Sequence, residues 1–230
     1  MYRDDTYAEA RMEALTRHRR LDARKRAEWT RQHAPGARLL EVGAGAGFFL
    51  ESAAEHGFEA IGIEPSDLAA RYGRDQLGVD VRTGFLETSD IPDGTFDVVC
   101  MWHVLEHAAD PLGLLRAARA RLSPGGRLVL EVPNVDSVGA EIMRGRWAHL
   151  DPAAHVSHFA PESLRTALEA GGFQVLRLST LIESYYDRPM TRMRPRRIAG
   201  RAVRSMRLRT LRLTHPDRGE LLRAVAEVAG

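Results

Sequence analysis

The stretch Arg38-Leu39-Leu40-Glu41-Val42-Gly43-Ala44-Gly45-Ala46-Gly47-Phe48 decides how this chain is read. A short apolar run, right for one buried strand, passes straight into three glycines at alternate positions, and a helical run from Phe48 to His56 follows. Glycines so spaced let the backbone turn tightly and let a ligand approach with no Cβ in the way. The helix behind them aims its N-terminal amides at that ligand. Glu64 ends the next apolar run, 21 residues after Gly43. That spacing suits a carboxylate that accepts hydrogen bonds from two ribose hydroxyls.

Outward from this point, apolar runs alternate with helical ones. Strands are expected at Ala60 to Glu64, Val79 to Thr83, Phe96 to Met101, Arg127 to Val132 and Phe173 to Ser179. Helices are expected at Asp67 to Leu77, ended by Gly78, at Pro111 to Leu122, and at Glu162 to Ala170, capped by Gly171-Gly172. Such alternation requires a parallel sheet covered on both faces, and right-handed crossovers make it a doubly wound α/β fold. Ligands then bind beyond the carboxyl ends of its strands. Tyr7 to Gln32, polar and free of Gly and Pro, reads as one or two surface helices before the Pro35-Gly36 break.

A glycine loop paired with Glu64 leaves two ligands, a dinucleotide or S-adenosylmethionine. The dinucleotide fingerprint wants a small residue at its sixth position for close helix packing, and Phe48 stands there. Glu41 lies two residues before Gly43, where a carboxylate can face an α-ammonium group but would repel a pyrophosphate.

Four motifs carry a resemblance: Leu40 to Gly47, Gly62-Ile63-Glu64-Pro65-Ser66, Phe96 to His107, and Leu122-Ser123-Pro124-Gly125-Gly126-Arg127-Leu128. In this order and spacing they resemble the class I S-adenosylmethionine-dependent methyltransferases, and more narrowly the small-molecule branch with the ubiquinone-biosynthesis O-methyltransferases. The resemblance covers roughly Arg38 to Ser179. It implies a Rossmann-like, doubly wound, seven-stranded and mostly parallel sheet whose last strand is antiparallel; Leu208 to Thr214 is the candidate for that strand. It implies S-adenosylmethionine as cofactor and S-adenosylhomocysteine as product. Glu41, Gly43, Gly45 and Gly47 would hold the methionyl part, Glu64 with Pro65 the ribose, and Phe85 and Leu86 would lie beside adenine. Many relatives have an Asp where this chain has Phe85, so a stacking contact would replace a hydrogen bond there. Met101, Trp102 and His103 would face the cofactor near its sulfonium. Asp97 is expected to pin the start of its strand, and Pro124-Gly125-Gly126 to form a turn.

Methyl transfer to oxygen needs a base, and histidine suits that task. His103, His155 and His158 are the candidates, while His107 reads as a structural histidine bonded under its loop. Trp147 to Phe159 is expected to cross the substrate pocket, with Trp147 stacking on an acceptor ring or filling the core. His103, Glu106, His107 and one of His155 or His158 could also be weighed as a metal set, similar to the Glu-x-x-Glu-His motif of some methyltransferases. The first Glu is His103 here, and metal-free relatives carry a similar stretch, so no metal is expected.

The chain of 230 residues is 44% hydrophobic, enough for a full core. It has no apolar run of membrane-spanning length, and Met1-Tyr2-Arg3-Asp4-Asp5 does not resemble a secretory signal. One cysteine, Cys100, allows no internal disulfide, so a cytoplasmic protein is expected. Three regions are expected: an N-terminal helical lid at 1–34 carrying Tyr2 and Tyr7, a cofactor-binding core at 35–182, and an Arg-rich extension at 183–230. Ten arginines and no acidic residue lie between Arg188 and Arg212, a stretch open to weak contact with an anionic membrane or a phosphate. The motif region lacks the dense basic and aromatic patterning of a nucleic-acid enzyme, so a small-molecule acceptor is expected, more at oxygen than at nitrogen. An RNA or membrane-associated acceptor, and an NAD-dependent oxidoreductase, are the alternatives.

Overall fold

Arg38–Val42 forms β1 because Leu39, Leu40 and Val42 bury their side chains completely or nearly so. The computed structural model describes residues 3–182, 214 and 217–229, with side chains from residue 16 onward. After α1 (Arg3–His33) and β1 come α2 (Phe48–Glu55), β2 (Glu59–Glu64), α3 (Asp67–Tyr72), β3 (Asp80–Thr83) and β4 (Phe96–Trp102). Then follow α4 (Pro111–Arg121), β5 (Leu122–Pro133), α5 (Val138–Met143), α6 (Pro161–Ala170), β6 (Phe173–Leu181) and β7 (Leu221–Val228).

The seven strands lie in the order β3-β2-β1-β4-β5-β7-β6. β1 pairs in parallel with β2, and β2 with β3, while β6 and β7 are antiparallel. The expected seven-stranded, mostly parallel fold is therefore the one formed. Its strand order reverses between β1 and β4, the kind of switch point at which such sheets take ligands. The chain divides into two compact units, Met1–Cys100 with Ala120–Leu128, and Met101–Arg119 with Val129–Gly230.

In the first unit, α1 is one unbroken helix that buries Ala23, Ala27 and Thr30 on a single stripe. It meets α2 through Arg20, which pairs with Glu51 at 3.2 Å and lies over the Phe48 ring. Asp97, as expected, pins strand starts: it accepts from the Arg38 backbone N–H at 3.0 Å, from the Arg38 guanidinium at 2.6 and 3.2 Å, and from Ser123 at 3.3 Å. These bonds hold its carboxyl down at about 2.

Three elements depart from expectation. The helix begun at Asp67 turns into a π-type turn over Gly73–Leu77, where Gly73 backs onto Val81 with no room for a Cβ. β5 begins at Leu122 directly after α4, so Pro124-Gly125-Gly126 lies within the strand's span, and Gly125 takes φ 77. The seventh strand is not at Leu208 to Thr214, of which 208–213 lie outside the described residues; it is Leu221–Val228. That strand is enclosed between β5 and β6, so its buried Leu221, Leu222, Ala224, Val225 and Ala226 form a run without the alternation that marks a half-exposed strand. It falls within the region expected to be an extension. The Arg-rich run 188–212 and Tyr2 lie outside the described residues. No helix among the described residues is long and apolar enough to cross a membrane.

Candidate active site

The glycine loop of the first unit adopts the backbone its residues predict. Gly43, Gly45 and Gly47 have φ of 70, 52 and 81°, and Gly47 starts α2. At Gly47 a Cβ would also stand 2.6 Å from a Val79 methyl, so both conformation and space demand glycine. The loop is tied to the end of β2, since the N–H groups of Gly43 and Ala44 donate to the Ile63 carbonyl at 2.8 and 3.1 Å. Close packing of helix on strand is supplied from β2 itself: a Cβ on Gly62 would meet Ala44 and Leu50 at 2.6 and 2.7 Å. Phe48 is thereby released from that duty and rests half-buried against Tyr72.

Glu64 is held by backbone. Its Oε2 accepts from the Gly45 N–H at 2.8 Å and its Oε1 from the Ser66 N–H at 2.9 Å. Each oxygen keeps a lone pair for a further donor such as a ribose hydroxyl. Glu41 is only 3% exposed, and its Oε2 has no hydrogen-bond partner among the described residues. Burial pushes this carboxyl well above the usual range, Arg26 opposing and the Glu64 charge reinforcing. A ligand ammonium would satisfy the orphaned oxygen and favour the charged form of the carboxyl. Phe85 is 62% exposed and open to stacking, whereas the Leu86 side chain is in the core and Pro65 is exposed. These residues fit S-adenosylmethionine: a buried carboxyl with one unpartnered oxygen, a glycine-rich loop, and a second carboxylate oriented by backbone N–H groups. Beneath them the Cys100 thiol is pushed up, first by burial and then by the Glu41 charge.

The second unit holds the remaining candidates. Met101 and Trp102 are buried, and the Arg223 guanidinium lies over the Trp102 ring at 5.5 Å. His103 follows with φ 57, a left-handed conformation that costs a non-glycine residue roughly 1–2 kcal/mol. Its N–H donates to the Glu131 carbonyl at 2.9 Å. Its ring spans two buried carboxylates: Nδ1 is 3.2 Å from Glu106 Oε1, and Nε2 is 3.3 Å from Glu131 Oε1. The other Glu131 oxygen accepts from Arg223 Nε at 2.9 Å and from Arg223 Nη2. Sequence reading missed Glu131 and Arg223. A glutamate inside the apolar run Leu128-Val129-Leu130-Glu131-Val132 was the available signal, because a lone buried carboxylate needs a partner.

His107, as expected, is bonded under a loop, its Nδ1 at 2.8 Å from the Ala154 carbonyl. His155 places Nδ1 2.6 Å from the His149 carbonyl, and its ring meets those of His107 and His158 at 4.7 and 6.3 Å. His158 itself is exposed. Trp147 is buried, edge-on to His149, so of its two expected roles it takes the packing one.

The family described as "Methyltransferase domain" matches residues 8–178. A ubiquinone biosynthesis O-methyltransferase of Methylocella silvestris is 29% identical over 168 residues, covering 68% of this chain and 65% of that protein. The chain spans 44–65% of the length of the first curated relatives it matches. Among solved structures, the methyltransferase in a Haloferax volcanii complex with the Trm112 methyltransferase activator superposes with TM-score 0.70 at 19% identity, over 100% of this chain and 98% of that one. A SAM-dependent methyltransferase from Archaeoglobus fulgidus gives 0.66 at 22%, over 90% and 93%. At those identities the superpositions speak for the fold, and the family match together with the Glu41 and Glu64 geometry speaks for the cofactor. The chain belongs to the methyltransferase-domain family, that of the class I S-adenosylmethionine-dependent methyltransferases.

Proposed function

We propose that this chain transfers a methyl group from S-adenosylmethionine to a hydroxyl oxygen of a small molecule. The observation that carries the reading is the buried Glu41 carboxyl, with Oε2 unpartnered among the described residues, beside a glycine loop whose Gly45 N–H donates to Glu64. Glu41 binds the methionyl ammonium, Gly43, Gly45 and Gly47 give the backbone room, Glu64 with Pro65 orients the ribose, and Phe85 and Leu86 border adenine. The cofactor, when bound, supplies an electrophilic methyl group on sulfur.

Met101 and Trp102 set the chain that leads to His103, and His103 takes the acceptor's proton. Glu106 faces Nδ1 and Glu131 faces Nε2, so the ring and its two carboxylates receive the hydroxyl proton as one unit. The bound cofactor would supply the methyl group and retain the bonding pair on its sulfur, and Glu131 would offset the charge of the protonated ring. His155 and His158 are poorer bases for this step. His155 has one ring nitrogen on a backbone carbonyl, His158 is exposed, and His103 has a buried carboxylate at each ring nitrogen. A named resemblance to O-methyltransferases supports oxygen as the acceptor atom. The lone, buried Cys100 agrees with a cytoplasmic setting.

Calorimetric titration with S-adenosylhomocysteine, with NADH in parallel, tests the cofactor reading. Micromolar binding of the first and none of the second, lost in Glu64→Ala, is expected; binding of NADH alone overturns it. Turnover on a panel of phenols and amines follows. His103→Gln is expected to lower kcat on phenols at least ~100-fold and to spare amines, which need only their neutral form. An equal loss on both would favour nitrogen as the acceptor and a positioning role for His103.

A further inference from the structure

We propose that Arg223 is a positioning residue for the methyl-transfer step and acts on His103 through Glu131. This rests on the reading of His103 as proton acceptor and adds to it a group from the last strand of the sheet. Arg223 is the one charged residue in the run Leu221-Leu222-Arg223-Ala224-Val225-Ala226, whose other members are buried. Its own side chain is 11% exposed, and that of Glu131, on the neighbouring β5, is 1% exposed. A buried pair of opposite charges gains little over an apolar pair of similar volume, because both ions give up their water. Stability is therefore a weak reason for the pair, and its geometry supplies a specific one.

The two Glu131 oxygens face different partners. Oε2 accepts from Arg223 Nε at 2.9 Å and from Arg223 Nη2. Oε1 is turned to the ring, 3.3 Å from His103 Nε2. A guanidinium is a planar, rigid fork, so two of its N–H groups on one oxygen hold the rotation of the whole carboxylate. A second hold acts along the chain. The guanidinium lies over the ring of Trp102, the residue before His103, at 5.5 Å. His103 itself has φ 57, a conformation that a non-glycine residue keeps only where its surroundings enforce it. Arg223 thus touches both the residue that leads into His103 and the carboxylate at its ring.

Charge points the same way. Glu106 Oε1 lies 3.2 Å from His103 Nδ1, so the ring has a buried carboxylate at each nitrogen. An imidazole so placed is drawn to its doubly protonated form, in which it accepts no further proton. The positive charge on Glu131 Oε2 offsets one of the two carboxylates. Arginine does not lose its proton in a protein, so the offset is permanent. Arg223 in this way leaves the ring and its carboxylates able to take the proton of the acceptor hydroxyl.

The test compares Glu131→Gln, Arg223→Met and the two together on a phenol that the unaltered chain methylates. Arg223→Met is expected to lower kcat at least ~10-fold, a share of the ~100-fold or more that a general base supplies, with KM within ~3-fold. In the Glu131→Gln background the same change is expected to cost at most ~3-fold more, because the path from Arg223 to the ring is already cut. Losses that multiply, or an unchanged kcat in Arg223→Met, overturn the proposal. Arg223→Lys keeps the charge without the fork and is expected to fall between the unaltered chain and Arg223→Met. Should Arg223→Met not fold, Arg223→Lys takes its place, and full activity there overturns the proposal. The readout that a purely structural pair would leave in place is the ring itself. In protein with isotope-labelled histidine, the ring-nitrogen resonances lost in His103→Gln are expected to shift in the Arg223 variants, while those of His33 and His56 stay. Unmoved His103 resonances overturn the proposal. This signal needs neither acceptor nor cofactor, so the hold of Arg223 on His103 is decided even where no phenol is methylated, and titration of the unaltered chain with S-adenosylhomocysteine reports separately on the cofactor reading.

Discussion

Glu41 is a buried acid whose charge is disfavoured until a cation arrives, and that has a measurable consequence. Binding of an ammonium ligand should draw the proton off it. Titrations of S-adenosylhomocysteine in buffers of different ionisation enthalpy, repeated over a series of pH values, are expected to show a net proton release that is absent in Glu41→Gln. Asp97 works in the opposite sense. Its folded value, about 2, lies below the ordinary 3.8, so it contributes stability that is fully present above pH 4 and lost as pH falls towards 2. Arg38 stays protonated throughout that window. Urea midpoints measured from pH 5 to 2 should therefore fall more steeply for the unaltered chain than for Asp97→Asn, which starts lower. Asp97, Glu41 and Glu64 were legible in sequence because each sits at a fixed step from a strand end. Glu131 and Arg223 were not, since 92 residues separate two groups that only the sheet brings together.

Among elements, the turn from β1 into α2 is the most tightly specified. Gly47→Ala and Gly57→Ala make a matched pair, with φ of 81 and 78°. The second has open space around an added Cβ, and the first meets Val79. Gly57→Ala is expected to cost about 1–2 kcal/mol, the left-handed backbone penalty alone. Gly47→Ala should cost about 1–3 kcal/mol more, because the contact overpacks the loop. Urea denaturation of both reads the difference, and equal losses would show that Val79 moves aside freely. The change after Tyr72 was invisible beforehand: Asp67 to Leu77 has helical composition, and the close fit of Gly73 against Val81 appears only in the fold.

For the whole molecule, the decisive strand is β7. It lies between β5 and β6, far from both in the chain. A chain ended after Ile182 would leave those two strands without the one that joins them, exposing unpaired edges. Such a truncation is expected to aggregate or to unfold without a cooperative transition, as followed by light scattering and circular dichroism. A cooperative, soluble 1–182 fragment would instead vindicate the reading of 183–230 as an extension.

What the sequence determined by itself was local: strand and helix periods, the glycine loop, Glu41 and Glu64, and through these the fold class and the cofactor. Each is a pattern of near neighbours, in which backbone conformation and side-chain spacing translate directly into residue order. Tertiary structure alone decided the place of β7 and the His103–Glu131–Arg223 chain. These depend on which remote segments the sheet brings side by side. A buried central strand loses its alternation, and a polar residue shows its partner only when both have left water together.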